Sequence, residues 1–290
     1  MPTVGFVGLG NMGSVLAGNL VAAGHAVVAH DVAGPGRLPD GASFAGSVAD
    51  MARQADVVVL SLPDGTISQQ VAKEVAAADG RRAAHLIDTS TSGPQAARDI
   101  EALLAGHGVG FVDAPVSGGV AGAKARTLAV MYAGPDEACA AVEPVLAGLS
   151  DKRFRVGDRA GLGQAMKLAN NFLSATAMAA ASEAIAFGLS AGLDMTTMTE
   201  VINASSGMNT ATRDKFPRDI ATGTYAAGFS NSLMAKDVRL YRAAVDDAGG
   251  PAEVGDVIAA LWARFAEAEP NADFTRVFPF TQRGAGRSPE

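Results

Sequence analysis

The chain has 290 residues, of which 48% are hydrophobic and 18% charged, enough apolar material for one large or two ordinary packed domains and unlike an intrinsically disordered chain. The formal net charge of −7, without a long run of like charges, argues against a nucleic acid or an anionic membrane surface as partner. Cys139 is the single cysteine, so no internal disulfide can form, and we expect a cytoplasmic protein.

Short apolar runs alternate with helix-like segments through the first half of the chain. The predicted strands are Thr3–Val7, Ala26–His30, Asp56–Ser61, His85–Asp88, Gly110–Asp113, Leu128–Tyr132 and Phe154–Val156. Helices are predicted between them, for example over Met12–Ala23, Ile67–Ala78 and Pro94–Ala105. This alternation favours an α/β Rossmann domain with a doubly wound, mainly parallel sheet covered by helices on both faces.

The pattern changes after Gly157, where the sequence becomes rich in alanine and typical of helices. One long helix is predicted over Gly161–Ala191, and the further helices are Met195–Ala204, Ser232–Ala248 and Pro251–Ala268. We therefore expect a dinucleotide-binding domain at residues 1–160 and an all-α domain at residues 161–290, joined by the long interdomain helix. The polar tail from Gln282 is expected to be loose.

The most apolar stretch, residues 165–193, is interrupted by Lys167, Asn170, Asn171 and Glu183. A membrane span requires about 20 nearly uninterrupted apolar residues, so we expect a helix buried in protein and no membrane partner. The first apolar run has no basic segment before it, and we expect no signal peptide. The four histidines lack metal-ligand spacing, and no metal is expected.

A glycine-rich motif, formed by Gly8, Leu9, Gly10, Asn11, Met12 and Gly13, follows the first predicted strand and opens the first helix. Such glycines allow a tight turn and a close approach of the backbone to a pyrophosphate at the helix N-terminus. Asp31 ends the second strand, near the spacing expected for the acid that binds the adenine ribose. A carboxylate there repels a 2′-phosphate, so NAD is favoured, while Arg37 leaves NADP open. The alternative is a plain glycine-rich turn.

Two further segments carry candidate substrate groups. Ser117, Gly118 and Gly119 follow a buried strand and offer a hydroxyl and unobstructed N–H groups, a nest for a substrate carboxylate or else an ordinary turn. Lys167 and Asn171 are one helical turn apart among apolar neighbours, so both project from one face of the long helix. Burial predicts a lowered pKa for Lys167, which suits proton exchange near neutral pH. The alternative is a lysine that extends to solvent.

Five separated segments together resemble the β-hydroxyacid dehydrogenase family, the 3-hydroxyisobutyrate dehydrogenase-like enzymes. They are the stretches Gly5–Gly13, Asp88–Pro94, Asp113–Ala123, Gly161–Asn171 and Leu233–Asp237. The resemblance implies cofactor contacts at Leu62, Pro63, Thr91 and Lys236, and substrate contacts at Ser117, Gly118, Gly119 and Asn171. It also implies that Lys167 is the catalytic acid/base for NAD-dependent oxidation of a small hydroxy acid. Much of the long helix is apolar and needs partners beyond one small helical bundle, so we expect a homodimer or homotetramer.

The chain departs from the family pattern at Arg126, where the family usually has glycine. It departs again where the family usually has Met-x-Gly-Gly, because this chain has Met131-Tyr132-Ala133-Gly134. One hypothesis is that Arg126 or Tyr132 alters the loop beside the substrate; the alternative is a surface arginine and a core tyrosine. Asn170 replaces the histidine of the decarboxylating sugar-phosphate relatives, and Lys167 argues against imine reduction. No role is assigned to residues 272–280.

Two other functions stay open. The same residues suit an NADPH-dependent reductase of a small aldehyde acid, such as tartronate or succinate semialdehyde. A protein of another class, a non-catalytic NAD-binding module, would keep the fold but lose the lysine or gain a basic extension. Lys167 is present and the chain has no such extension, which favours the enzyme.

Overall fold

The structure is a computed structural model that describes residues 1–285. The chain divides into two compact units, Met1–Lys167 and the residues from Leu168 onward. The division falls inside one long helix, so the chain passes from one unit to the other without leaving helical conformation. The first unit contains the sheet, and the described part of the second is built from helices, which confirms the predicted fold class.

Short, largely apolar strands form the sheet of the first unit. They are Val4–Val7 (β1), Val27–His30 (β2), Ser43–Phe44 (β3), Val57–Leu60 (β4), His85–Asp88 (β5), Gly110–Asp113 (β6), Val116–Ser117 (β7), Ala129–Ala133 (β8) and Lys152–Gly157 (β9). Among the described residues they form one sheet in the order β3-β2-β1-β4-β5-β6-β8-β7, with β9 paired to β8. The strands from β3 to β6 run parallel, whereas β8 is antiparallel to β6 and β7.

Helices cover both faces of this sheet. They are Gly13–Ala22 (α1), Val48–Gln54 (α2), Gly65–Ala77 (α3), Pro94–Ala105 (α4), Gly119–Lys124 (α5) and Asp136–Leu149 (α6). Successive residues of β4 alternate between two cores: Val57 and Val59 pack with α1 and α6, while Val58 and Leu60 pack with α2, α3 and α4. Because successive residues of such a strand point alternately into two apolar cores, the strand is a nearly continuous run of hydrophobic residues.

The register of the parallel strands brings their carboxyl ends to one edge. Val7 of β1 lies beside His30 of β2 and Leu60 of β4, Leu60 lies beside Asp88 of β5, and Asp88 lies beside Asp113 of β6. Ligands of open α/β sheets bind outside this edge. The glycine-rich turn after β1, Asp31 after β2 and the loops after β4 and β5 therefore all start from this edge, whereas Ser117 to Gly119 follow β7.

The second unit is helical in its described part. Its helices are the remainder of Leu162–Ser190 (α7), Met195–Asn203 (α8), Asn231–Ala248 (α9), Glu253–Ala268 (α10) and Val277–Ala285 (α11), with a π-helical segment at Ala211–Ile220 and a 3-10 turn at Phe274–Arg276. Trp262 and Phe265 of α10 lie at the centre of its core and are fully buried.

Helix α7 is long and apolar enough to cross a bilayer by length and composition alone. Its residues Ala175, Met178 and Ile185 are buried in the core around Trp262, whose indole Nε1–H donates to the carbonyl oxygen of Ala175 at 3.3 Å. Such contacts are those of the core helix of a packed domain, as the polar interruptions in its sequence predicted.

Several elements differ from the sequence predictions. Helix α6 was not among the helices named from the sequence; Asp136 and Glu137 in its first turn stabilise its N-terminus, and Pro144 lies inside it. The π-helical segment was also missed, since it is polar and contains Pro217. Residues 282–285 are helical in α11, so the expectation of a loose tail from Gln282 is wrong for them, and the rest of that tail lies outside the described residues.

Candidate active site

The glycines of the turn after β1 differ in whether a side chain would fit at their position. A Cβ on Gly8 would lie 2.3 Å from the carbonyl oxygen of Ser61, and one on Gly13 would lie 1.9 Å from that of Gly8, so both positions require glycine for packing. Gly8 also has a φ of +97°, which side chains rarely adopt. A Cβ on Gly10 would meet nothing within 4 Å. Gly10 therefore faces open space at the edge of the sheet.

Helix α1 begins at Gly13 directly after this turn, and its N-cap residue Met12 makes no side-chain capping hydrogen bond. The first N–H groups of a helix need partners from outside the helix, and their partial positive charge favours an anion. An uncapped helix N-terminus beside the open Gly10 fits a pyrophosphate. The residues of this turn, including Leu9 and Asn11, therefore fit the dinucleotide that the motif predicts.

Asp31 follows β2 at the same edge. Its Oδ2 atom accepts a hydrogen bond of 2.5 Å from the backbone N–H of Leu9, and Oδ1 accepts one of 2.7 Å from Ala33. These bonds hold the carboxylate against the glycine-rich turn. Arg37 donates to the side-chain oxygen of Asn11 at 2.6 Å, which places a guanidinium beside the same turn.

The loops after β4 and β5 are tied together. The backbone N–H of Leu62, which precedes Pro63, donates to Ser90 Oγ at 2.8 Å, and Ser90 N–H donates to the fully buried Asp88 at 2.9 Å. Burial raises the pKa of Asp88, opposed by its hydrogen bonds to serines. Thr91 lies in this bonded segment. Three predicted cofactor residues, Leu62, Pro63 and Thr91, thus belong to two connected loops at the sheet edge.

Ser117 to Gly119 lie where β7 passes into α5. Gly118 has a φ of +133° and Gly119 one of +65°, so both adopt backbone conformations that favour glycine. A Cβ on Gly118 would press against Leu128 at 3.0 Å, whereas one on Gly119 would meet nothing within 4 Å. The glycines are needed for the turn itself, and the substrate nest stays a prediction.

The first turn of α7 is hydrogen-bonded to the end of β6 and lies close to β8. The carboxylate of Asp113 accepts the backbone N–H of Gln164 at 2.8 Å, and burial raises the pKa of Asp113 to about 7. A Cβ on Gly163 would lie 2.7 Å from the carbonyl oxygen of Met131 and 2.8 Å from the Asp113 carboxylate. Gly163 therefore allows the helix to approach the strands closely.

Gln164 also reaches the loop after β5. Its Oε1 atom accepts the backbone N–H groups of Ser92 at 3.0 Å and Gly93 at 3.2 Å, and its Nε2 donates to the carbonyl oxygen of Ser90 at 3.0 Å. The Gln164 side chain is fully buried. Gln164 was not predicted as a site residue, because a glutamine beside glycine gives no indication of partners about 70 residues away.

Lys167 lies one turn further along α7 and is only 8% exposed, which argues against the alternative of a lysine that extends to solvent. Asn171, one turn beyond, belongs to the second unit, where its Nδ2 donates to Asp237 Oδ2 at 2.7 Å. The predicted cofactor residue Lys236 forms an ion pair with Asp237 at 3.3 Å. Asn171 and Lys236 are thus connected within their unit through Asp237, which was not predicted as a site residue.

Arg126 and Tyr132 do not support the hypothesis of an altered substrate loop. Arg126 donates to the carbonyl oxygens of Gly148 at 2.7 Å and Ala147 at 2.9 Å, at the C-terminal end of α6. Burial beside Glu143 and Cys139 of α6 raises the pKa of Tyr132. These contacts favour the alternative of two structural side chains. Residues 272–280, for which no role was assigned, contribute Phe274, Val277 and Phe278 to the core of the second unit.

In the described residues no group of three or more His, Cys, Asp or Glu side chains is arranged to hold a metal ion. The buried polar groups at the sheet edge instead bind backbone and one another. The edge therefore presents a helix N-terminus without a side-chain cap and the carboxylate of Asp31, and hydrogen bonds join the loops after β4 and β5.

Two family models match most of the chain. The model of the NAD binding domain of 6-phosphogluconate dehydrogenase matches residues 3–157. That of NAD-binding of NADP-dependent 3-hydroxyisobutyrate dehydrogenase matches residues 161–280. The 3-hydroxyisobutyrate dehydrogenase of Pseudomonas aeruginosa is 37% identical over 93% of this chain and 94% of its own length. The chain belongs to the β-hydroxyacid dehydrogenase family.

Other members of the family agree with this assignment. The NAD-dependent L-serine dehydrogenase of Pseudomonas aeruginosa is 35% identical, over 90% of this chain and 91% of its own. The structure of 3-hydroxyisobutyrate dehydrogenase from Mycobacterium tuberculosis with L-serine has a TM-score of 0.90 at 36% identity and covers 97% of this chain and 99% of that chain. The predicted family, fold class and NAD(P)-dependent oxidoreductase class are confirmed.

Proposed function

We propose that this protein oxidises the alcohol of a small β-hydroxy acid with NAD, using Lys167 as the general acid/base. The observation that carries the proposal is the buried Lys167 on the turn of α7 that follows Gln164, whose side chain binds the loop carrying Thr91. A family member with a buried amine so placed has a proton acceptor beside the loop implied to contact nicotinamide.

The proposed chemistry divides the work among a few groups. The Ser117 hydroxyl and the N–H groups of Gly118 and Gly119 bind the substrate carboxylate, and the Asn171 amide orients the hydroxyl. Lys167 Nζ accepts the hydroxyl proton as the carbon–hydrogen bond breaks, and returns a proton to the oxygen in the reducing direction. When bound, the nicotinamide cofactor supplies the acceptor for the hydride.

The names of the relatives narrow the substrate class. Three relatives act on 3-hydroxyisobutyrate, L-serine and 2-(hydroxymethyl)glutarate, according to their names. All three compounds carry a primary alcohol on the carbon β to a carboxylate. We therefore infer a primary β-hydroxy acid as the substrate and the corresponding semialdehyde as the product. Reduction of an aldehyde acid with NADPH uses the same residues and is tested by the same assay run in reverse.

The residues from Gly8 to Gly13 would hold the pyrophosphate. Asp31 would bind the adenine ribose, and its negative charge favours NAD over NADP. Leu62, Pro63, Thr91 and Lys236 complete the proposed cofactor contacts. Assembly into a homodimer or homotetramer is supported by exposed apolar side chains of the second unit, such as Leu173, Phe187 and Val257. Light scattering coupled to size-exclusion chromatography measures this directly. A cytoplasmic location is part of the proposal.

The test is absorbance at 340 nm with NAD or NADP and a panel containing 3-hydroxyisobutyrate, L-serine and glycerate. We expect NAD-linked turnover that falls by at least about 100-fold in Lys167→Ala. Lys73→Ala, which removes an exposed lysine of α3, is the matched control and should retain wild-type turnover. Full activity in Lys167→Ala would exclude this lysine as the base. NAD binding without turnover on any acid or semialdehyde would favour a non-catalytic NAD-binding module.

A further inference from the structure

The loop after β5 and the end of β6 both bind Gln164, the loop through the side chain and the strand end through the backbone N–H. Its amide oxygen accepts from Ser92 and Gly93, its amide nitrogen donates to Ser90, and its own backbone N–H donates to Asp113. All four bonds are between 2.8 and 3.2 Å long. One buried residue thus joins the end of β6, the loop after β5 and the first turn of α7.

Lys167 follows Gln164 by three residues, so their side chains share one face of α7. A rotation or shift of this turn moves both side chains together, because an α-helix is rigid over one turn. Gly163 lets this turn lie directly against the backbone oxygen of Met131 and the oxygens of Asp113, with no room for a Cβ between them. The position of Lys167 relative to the loop of Thr91 is therefore set by Gln164.

We propose that Gln164 is a positioning residue, which fixes the Lys167 amine against the loop Ser90–Gly93 through its three side-chain hydrogen bonds. Gln164 touches neither substrate nor cofactor in this role. The inference rests on the proposed function of Lys167 as acid/base. Asp113 supports it by accepting the N–H of Gln164 at the start of the helix, as a carboxylate does at an N-cap.

The bond pattern requires an amide and rejects a carboxylate. The carboxylate introduced by Gln164→Glu would still accept from Ser92 and Gly93, but in its ionised form it cannot donate to the Ser90 carbonyl oxygen and would repel it. A protonated carboxylic acid can donate one hydrogen bond and restores the pattern. Relative to the wild type at the same pH, Gln164→Glu should therefore regain activity as the pH falls, whereas Gln164→Ala should not.

The experiment compares Gln164→Ala, Gln164→Glu and Lys167→Ala with the wild type, and uses Gln95→Ala as control because Gln95 is an exposed glutamine bonded to Asp99 on α4. With 3-hydroxyisobutyrate and NAD at a temperature where circular dichroism shows each variant folded, kcat of Gln164→Ala should fall on the order of 100-fold. The deuterium isotope effect on kcat, with the label on the hydroxymethyl carbon, should rise. The dissociation constant of NAD should change by less than about threefold.

A wild-type kcat and isotope effect in folded Gln164→Ala, with Lys167→Ala inactive, would overturn the positioning role and leave the proposed function intact. Activity in Lys167→Ala would instead contradict the proposed function. Hydrogen exchange of the protein alone gives a readout independent of turnover. Exchange should accelerate in the segments around residues 90–96 and 162–168 in Gln164→Ala but not in Gln95→Ala, and unchanged exchange in both segments would also overturn the inference.

Discussion

Oδ2 of Asp113 lies 2.8 Å from the backbone nitrogen of Gln164, so the carboxylate at the end of β6 binds the first turn of α7. Asp113 is fully buried, and its other oxygen, Oδ1, has no hydrogen-bond partner among the described residues. The buried Asp88 beside it adds like-charge repulsion, and both effects disfavour the ionised form.

The pKa of Asp113 predicts how stability depends on pH. Its folded-state pKa of about 7 is above the ordinary value of 3.8, so the folded protein holds a proton that the unfolded chain releases. The free energy of unfolding should therefore fall as pH rises through this window, by up to about 4 kcal/mol. Asp113→Asn cannot titrate, and its difference from wild type should shrink or reverse toward pH 8.

Urea unfolding at several pH values between about 5 and 8 measures this difference. Asp79→Asn, at an exposed position after α3, is the control and should keep the wild-type pH dependence. Parallel curves for Asp113→Asn and wild type across the whole range would show that Asp113 stays ionised in the folded protein.

We expect Gly10→Ala to weaken cofactor binding without loss of stability, and Gly163→Ala to reduce stability. Gly10→Ala adds a methyl group into open space, so thermal stability should change by less than about 0.5 kcal/mol. The same methyl group lies where we propose the pyrophosphate, and NAD should bind on the order of tenfold more weakly. Gly163→Ala collides with Met131 and Asp113 oxygens at 2.7 to 2.9 Å and should cost about 1–3 kcal/mol of stability.

Thermal melts and NAD titrations of both variants check this contrast. A Gly10→Ala protein that binds NAD like the wild type would place the pyrophosphate elsewhere. A Gly163→Ala protein of wild-type stability would mean that the first turn of α7 can shift without cost.

Much of the fold follows from the sequence because periodicity and glycine spacing are local signals. The strands around Val4–Val7 and Val57–Leu60 were predicted within a residue or two, since both faces of a covered parallel sheet are apolar. The long helix was predicted over Gly161–Ala191 from its alanine-rich composition, within a residue of its observed bounds. Neither signal identifies a partner far away in the chain.

Gln164 and Arg126 show what local signals leave out. Gln164 acts through Ser92 and Gly93, more than 70 residues earlier, and no property of the residue itself indicates those partners. Arg126 was recognised as a departure from the family pattern. The carbonyl oxygens that its guanidinium binds, however, depend on where α6 ends. Helix α6 was not among the helices named from the sequence, so the position of its C-terminal end was not available to predict the target of Arg126.

Asp31 should determine which dinucleotide is used. Its carboxylate is held by Leu9 and Ala33 at the carboxyl end of β2, and a 2′-phosphate bound there would meet a negative charge. Asp31→Asn removes the charge and keeps an acceptor, so kcat/KM with NADP relative to NAD should rise on the order of tenfold or more. Steady-state kinetics with both cofactors measures the ratio.

Asp40→Asn, at an exposed position close in sequence, is the control and should leave that ratio unchanged. Arg37→Ala in the Asp31→Asn background tests the second charge, since Arg37 bonds Asn11 of the same turn. We expect it to reverse part of the gain with NADP. An unchanged ratio in Asp31→Asn would remove Asp31 as the discriminating group.

Arg126 should matter for stability and not for substrate binding. Its backbone has a φ of +57°, which costs a non-glycine residue about 1 kcal/mol, while its guanidinium binds the last carbonyls of α6 and Asp151 at 3.1 Å. Arg126→Ala loses those hydrogen bonds and keeps the backbone cost, so it should destabilise by about 2 kcal/mol. Arg126→Gly loses the bonds but relieves the backbone, and should be about 1 kcal/mol more stable than Arg126→Ala.

In urea unfolding we expect the free energy of unfolding to decrease in the order wild type, Arg126→Gly, Arg126→Ala. A reversal of the last two would show that the positive φ carries no cost. The KM for 3-hydroxyisobutyrate should stay within about twofold of wild type in both variants, because the guanidinium is directed to the end of α6. A KM raised tenfold at unchanged stability would restore the hypothesis that Arg126 shapes the substrate loop. The hydrogen bonds to Gly148 and Ala147 predict the opposite, a protein that melts earlier and binds its substrate as before.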